Sequence, residues 1–178
     1  AAEQNPFRYH LGTTAETLFE DFTATVSKKW ESFFKSYRPR DPAIILEGMT
    51  LQQQINFAVW TNKFEEVLPL IEEIARGLKS VQPTLFYLQH KDPAKRFKEV
   101  MLERGEEWVD SAVKPISQSP FALYQKLQGI SALEGFLEEI SIKNIECLDL
   151  FDFSVNRINV DSNNWNSTLA EIQASLKL

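Results

Sequence analysis

Cysteine is almost missing from this chain: Cys147 is the only one in 178 residues. One thiol excludes an internal disulfide and a cysteine-rich metal site, and no metal ligand is assigned. Cys147 lies among Ile145, Leu148 and Leu150, so it reads as a buried structural thiol and not as a nucleophile. Positive charge is also short. The formal net charge is −6, which gives no electrostatic footprint for generic nucleic-acid binding. No apolar run approaches the ~20 residues of a membrane span. The default expectation is a cytoplasmic protein with neither nucleic acid nor membrane as partner. No nucleophile elbow marks Ser/His/Asp catalysis, and nothing indicates a haem, flavin or iron–sulfur site.

What is present is apolar mass. Hydrophobic residues make up 43% and charged residues 25%, with 13 Phe and 4 Trp. That suits one domain, residues 1–178, with a substantial core. The chain begins Ala1-Ala2 and not Met. The expectation is that something upstream was removed, or that these residues were cut from a longer polypeptide.

Residues 1–12 read as loop, with a turn at Asn5-Pro6. Thr13 and Glu16 have the spacing of a capping box. Leu18, Phe22, Val26, Trp30, Phe33 and Phe34 then predict a helix to about Tyr37. Pro39 and Pro42 break it. Ala43–Leu46 is a continuous apolar run and predicts a strand covered on both faces. Helix is expected weakly over 49–60 and firmly over Lys63–Lys79, with a kink or break at Pro69. Thr84–Leu88 predicts a second strand, and Pro93 to about Val113 a helix. Ser119-Pro120 reads as a cap and first helical position. The helix it opens could reach Ile140, with Gly129 and Gly135 weakening it. Phe151, Phe153, Val155, Ile158 and Val160 predict a third strand. Trp165, Leu169, Ile172 and Leu176 space a last amphipathic helix. Strands separated by long helical stretches imply a parallel sheet flanked by helices, an α/β class. The alternative is a mostly α fold.

Several polar residues sit where chemistry is expected. Glu47 ends the first apolar run beside Gly48. A carboxylate there can take a proton or hold a metal-bound water, or simply charge the start of the next helix. Arg96 and Arg104 are two helical turns apart and can meet developing phosphoryl charge. Glu99 and Glu103 lie close enough to make Arg96 an ordinary surface pair instead. Gln52 carries a donor and an acceptor that can read a base or sugar edge, or it lies on an exposed helix face. Asp161 and Asn163 belong to a turn of helix-capping residue types. Gly12-Thr13-Thr14 lacks a lysine and a preceding strand, so it is not a phosphate loop.

Ile44-Ile45-Leu46-Glu47-Gly48, Leu85–Leu88 with Asp92-Pro93, and Asn159-Val160-Asp161 followed by Trp165 together resemble the later two-thirds of a P-loop kinase of the nucleoside and nucleotide kinase type. They resemble its third strand with an acceptor-side carboxylate, its fourth strand with the start of the lid, and its fifth strand with the closing helix. The resemblance implies an ATP-dependent phosphotransferase-like domain, or its remnant, acting on a small hydroxylated or nucleotide acceptor. It implies Glu47 as the acceptor-side carboxylate and Arg96 and Arg104 as charges of a lid over about 90–118. It implies acceptor contacts from Arg8, His10 and Gln52, and Asp161 and Asn163 near the nucleotide base.

The sequence departs from that pattern in one large respect. It contains no Gly-x-x-x-x-Gly-Lys-Ser/Thr, the loop that cradles phosphates. ATP and magnesium are therefore implied only if the missing segment is present. The strand carrying that loop would lie between Ile44–Leu46 and Leu85–Leu88. Without it, backbone groups are left unpaired at ~1–3 kcal/mol each when buried. Either the missing unit lies outside these residues, another chain fills the gap, or the sheet is arranged differently. The alternative function is a non-enzymatic helical domain that binds another protein.

Overall fold

Helices account for most of the fold. The computed structural model describes residues 15–38, 44–48, 51–160 and 164–176, with side chains from residue 19 onward. The described elements are α1 (Ala15–Ser36), α2 (Gln52–Thr61), α3 (Phe64–Lys79), β1 (Thr84–Gln89), α4 (Pro93–Arg104), α5 (Glu106–Ser117), α6 (Pro120–Gln125), α7 (Gly129–Leu148), β2 (Ser154–Asn159) and α8 (Trp165–Leu176).

The core follows the apolar stripes. Val67, Ile71 and Ile74 recur at helical spacing along α3 and are fully buried, together with Ile55 of α2. Phe22 of α1 stacks on Phe57 of α2 with ring centroids 4.1 Å apart. Ala132, Leu133 and Phe136 carry the core onto α7. Pro69 does not break α3. It is exposed, and its missing N–H leaves the carbonyl of exposed Glu65, four residues back, to water.

Helix ends explain two departures from the expected boundaries. Gly105, at φ 84° and ψ 173°, has a backbone that only glycine adopts readily, and it divides the helix predicted from Pro93 into α4 and α5. Lys126, left-handed at φ 57°, ends α6, so the helix expected to run from Pro120 to Ile140 is two helices. The predicted cap holds, with Ala122 N–H donating to Ser119 Oγ at 3.1 Å.

The strand expected over Ala43–Leu46 is not there. Ile44, Ile45 and Leu46 form no strand, and Ile45 is 93% exposed. An apolar run becomes a strand only where a neighbour pairs its amides and carbonyls. Among the described residues no such neighbour exists. The three-stranded parallel sheet therefore reduces to two strands, and the fold is helix-rich with a small parallel sheet. The other two predicted strands are present. β1 and β2 pair in parallel, Thr84 with Ser154 through to Gln89 with Asn159, connected by α4–α7 as a parallel crossover requires.

Alternation places Leu85, Tyr87 and Val155 on the face that packs on the helical core. Phe86, Leu88 and Ile158 share the opposite face, where Ile158 is buried and Leu88 is exposed. No helix among the described residues is long and apolar enough to cross a membrane.

Candidate functional site

The carboxyl ends of β1 and β2 are the natural place to look, because parallel strands deliver loops and helix starts to one end. Val160 N–H donates to the Gln89 carbonyl at 3.0 Å and extends the ladder one residue past β2. α4 starts just beyond β1, where Lys95 N–H donates to Asp92 Oδ1 at 2.8 Å. α8 starts beyond β2, where Ser167 N–H donates to Asn164 Oδ1 at 3.2 Å. Both side chains satisfy a first-turn amide, which is a capping role. Tyr87 and Arg157 are partners across the ladder. Partial burial pushes the Tyr87 phenol up, against the opposing pull of Arg157.

The arginines expected to carry lid charge already have partners. Arg96 donates to Glu99 at 3.0 Å and lies 3.6 Å from Glu103. Its hydrogen bond to Glu99 is the main cause holding its proton above the ordinary arginine range. Arg104 lies over the Trp108 ring of α5, 5.0 Å from its centroid, and among the described residues it makes no ion pair. The two guanidinium groups thus turn to different partners. The expected lid is also tied down. Lys98 pairs with Glu134 of α7 at 2.6 Å, and Phe97 packs on Trp108 at 5.3 Å and on the core.

Glu47 is exposed and stands on no strand end. Gln52 opens α2 on its exposed side. Gly48 between them has φ +64°, and a Cβ there would lie 2.9 Å from Gln52 Oε1. The Gln52 side chain therefore folds back over the glycine. Arg8, His10, Asp161 and Asn163 lie outside the described residues.

A second concavity was not legible in the sequence. It holds about 250 Å³ and is lined by Asn62, Lys63, Phe64, Glu66, Phe121 and Glu139. Lys63, Glu66 and Glu139 of its lining are paired, and Glu65 also faces it. Lys63 meets Glu66 at 3.2 Å, and Lys143 reaches Glu146 at 2.9 Å while covering the Phe64 ring at 4.5 Å. Cys147 is buried as expected, and burial is the first cause pushing its thiol up to about 12. Among the described residues no three His, Cys, Asp or Glu side chains gather as a metal site.

The most unusual local feature is the outer edge of β1. Gln89 accepts from Val160, so in a parallel ladder Leu85, Tyr87 and Gln89 point their backbone groups at β2. Thr84, Phe86 and Leu88 point theirs away, and among the described residues no backbone group meets them. On α8 three of the four apolar residues of the predicted stripe are outside: Trp165 is 59%, Leu169 52% and Leu176 42% exposed, while Ile172 is half-buried. Only Thr168 of that helix is buried. Comparison with protein-family models, with curated proteins and with solved structures gives no match.

Proposed function

We propose that this chain is a helical interaction domain that binds another protein and performs no chemistry of its own. The observation that carries the reading is the open edge of β1. An uncovered edge is a template for pairing with another chain. The exposed apolar residues of α8 add a second surface that water covers poorly. Of the side chains expected to act chemically, Arg96 is engaged with Glu99 and Glu103, and Arg104 with the Trp108 ring.

A phosphotransferase-like domain is the second reading, with ATP and magnesium supplied only together with a phosphate-binding segment. It is favoured by the parallel pairing of β1 with β2 and by the helices that begin at their carboxyl ends. In that reading Glu47 faces a small hydroxylated or nucleotide acceptor, and Arg104 meets phosphate when the lid closes. Titration calorimetry with Mg-ATP on the 178-residue chain tests the first reading, since the second expects nucleotide binding only once its phosphate-binding segment is supplied. The interaction reading expects no saturable heat up to millimolar nucleotide. A micromolar dissociation constant would overturn it.

A further inference from the structure

The edge of β1 differs from most exposed edges in lacking every usual protection. Its sequence, Thr-Leu-Phe-Tyr-Leu-Gln, contains no charge, proline or glycine. Natural edges are blunted by lysine, proline, bulges or inward charge. β2 follows that rule, because exposed Arg157 sits in its outward-pointing set and pairs with Asp149 at 3.4 Å. β1 does not. Thr84 and Leu88 are exposed and Phe86 is half-buried.

We propose that a second copy of this chain occupies that edge, with β1 of one copy antiparallel to β1 of the other about a two-fold axis at Phe86. The proposal rests on the interaction reading and names its partner. Its basis is self-complementarity. The outward-pointing residues Thr84, Phe86 and Leu88 are spaced symmetrically about Phe86. Antiparallel pairing about that point sets Phe86 against Phe86 and Thr84 against Leu88. Each of these residues then donates one N–H and accepts at one carbonyl. An isologous contact of this kind closes on itself and ends at the dimer. No like charges oppose one another along it, since the strand has none. The product is a four-stranded sheet, β2-β1-β1-β2. The face bearing Leu88 gains a cross-strand neighbour for a side chain now 43% exposed.

Sedimentation equilibrium of the 178-residue chain across low to high micromolar concentration gives the test. The wild type is expected to run as a dimer. Thr84→Lys with Leu88→Lys places lysine against lysine twice and is expected to weaken dimerisation at least tenfold. Thr84→Lys with Leu88→Glu places opposite charges in the same positions and is expected to restore it. A wild type that stays monomeric throughout, or a dimer indifferent to both pairs, would overturn the proposal. Should the double-lysine variant lose its helical circular dichroism, mild oxidation of a Phe86→Cys variant decides. The Cα atoms of a hydrogen-bonded antiparallel pair lie ~5.5 Å apart, within disulfide reach. A linked dimer is expected there and none from Thr84→Cys, whose two copies would be about 14 Å apart. Equal cross-linking of both variants, or of neither, would refute the register. Nucleotide binding by calorimetry would sink the interaction reading while leaving the dimer measurement standing. A monomer would sink the dimer alone.

Discussion

Replacing Gly77 with Ala sets two opposed effects against each other at the contact between α1 and α3. Within a helix Ala is favoured over Gly by ~1 kcal/mol, so from sequence alone the change stabilises. The packing says otherwise. A Cβ on Gly77 would lie 2.2 Å from Phe34 Cε2 and 2.4 Å from Cζ, where carbon atoms need ~3.5–4.0 Å. The ring would have to withdraw by more than about 1 Å. It is held by Trp30, stacked at 5.4 Å, and by Phe33 edge-on at 5.6 Å. Overpacking of this sort costs ~1–3 kcal/mol. The net expectation is a loss of about 1 kcal/mol. With a urea slope of about 2 kcal/mol/M that is a midpoint lower by roughly 0.5 M. In a Phe34→Ala background the clash is gone, and Gly77→Ala should raise the midpoint by about the same amount. The two changes then couple by ~2 kcal/mol, within the range for side chains in contact. A Gly77→Ala gain of equal size in both backgrounds would refute the packing of α1 on α3.

Other outcomes follow from single groups. Cys147, buried with its thiol pushed up to about 12, should react with iodoacetamide at pH 8 only as fast as the protein opens, and labelling that outruns opening would place it at the surface. Lys79, by hydrogen bond first and charge second, holds the Asp152 carboxyl below its usual range. A depressed carboxyl stabilises above its unfolded pKa and loses that contribution as pH falls through the folded one. Asp152→Asn should therefore narrow the difference between midpoints at pH 5 and pH 2, and an unchanged difference would show the pair inert. Glu47→Gln, on an exposed side chain, should move the denaturant midpoint by less than about 0.5 kcal/mol equivalent, and Arg104→Ala, which removes the contact over Trp108, by about 0.5–1 kcal/mol equivalent. A larger loss from Glu47→Gln would mean a structural partner.

The legible parts of the fold were those decided by local spacing. Val67, Ile71 and Ile74 announced α3, and the Thr84–Leu88 run between Pro83 and polar residues announced β1. Ile44–Leu46 carried the same apolar signal and failed, because a strand depends on a neighbour that no local pattern reveals. Lys126 ends α6 in a left-handed conformation for which its side chain gives no cue. Spacing also found the stripe of α8 but not its exposure, since burial depends on what packs against it. At the site, the pairing of Arg96 with Glu99 and Glu103 was readable from helical intervals. The turn of Arg104 toward Trp108 crosses the break at Gly105, which the uninterrupted helical reading had not placed. The open edge of β1, like the false strand, follows from how many strands the sheet has, and it was foreshadowed only by the strand that the kinase resemblance lacks.

Hydrogen exchange at individual β1 amides tests the central claim, that this edge is open and takes a second copy. Leu85, Tyr87 and Gln89 donate toward β2 and should be protected at every protein concentration. Thr84, Phe86 and Leu88 should exchange rapidly when the chain is dilute and become protected as it is concentrated. Protection of all six that persists at the lowest concentration would contradict the open edge, and rapid exchange at Thr84, Phe86 and Leu88 at the highest would contradict the second copy.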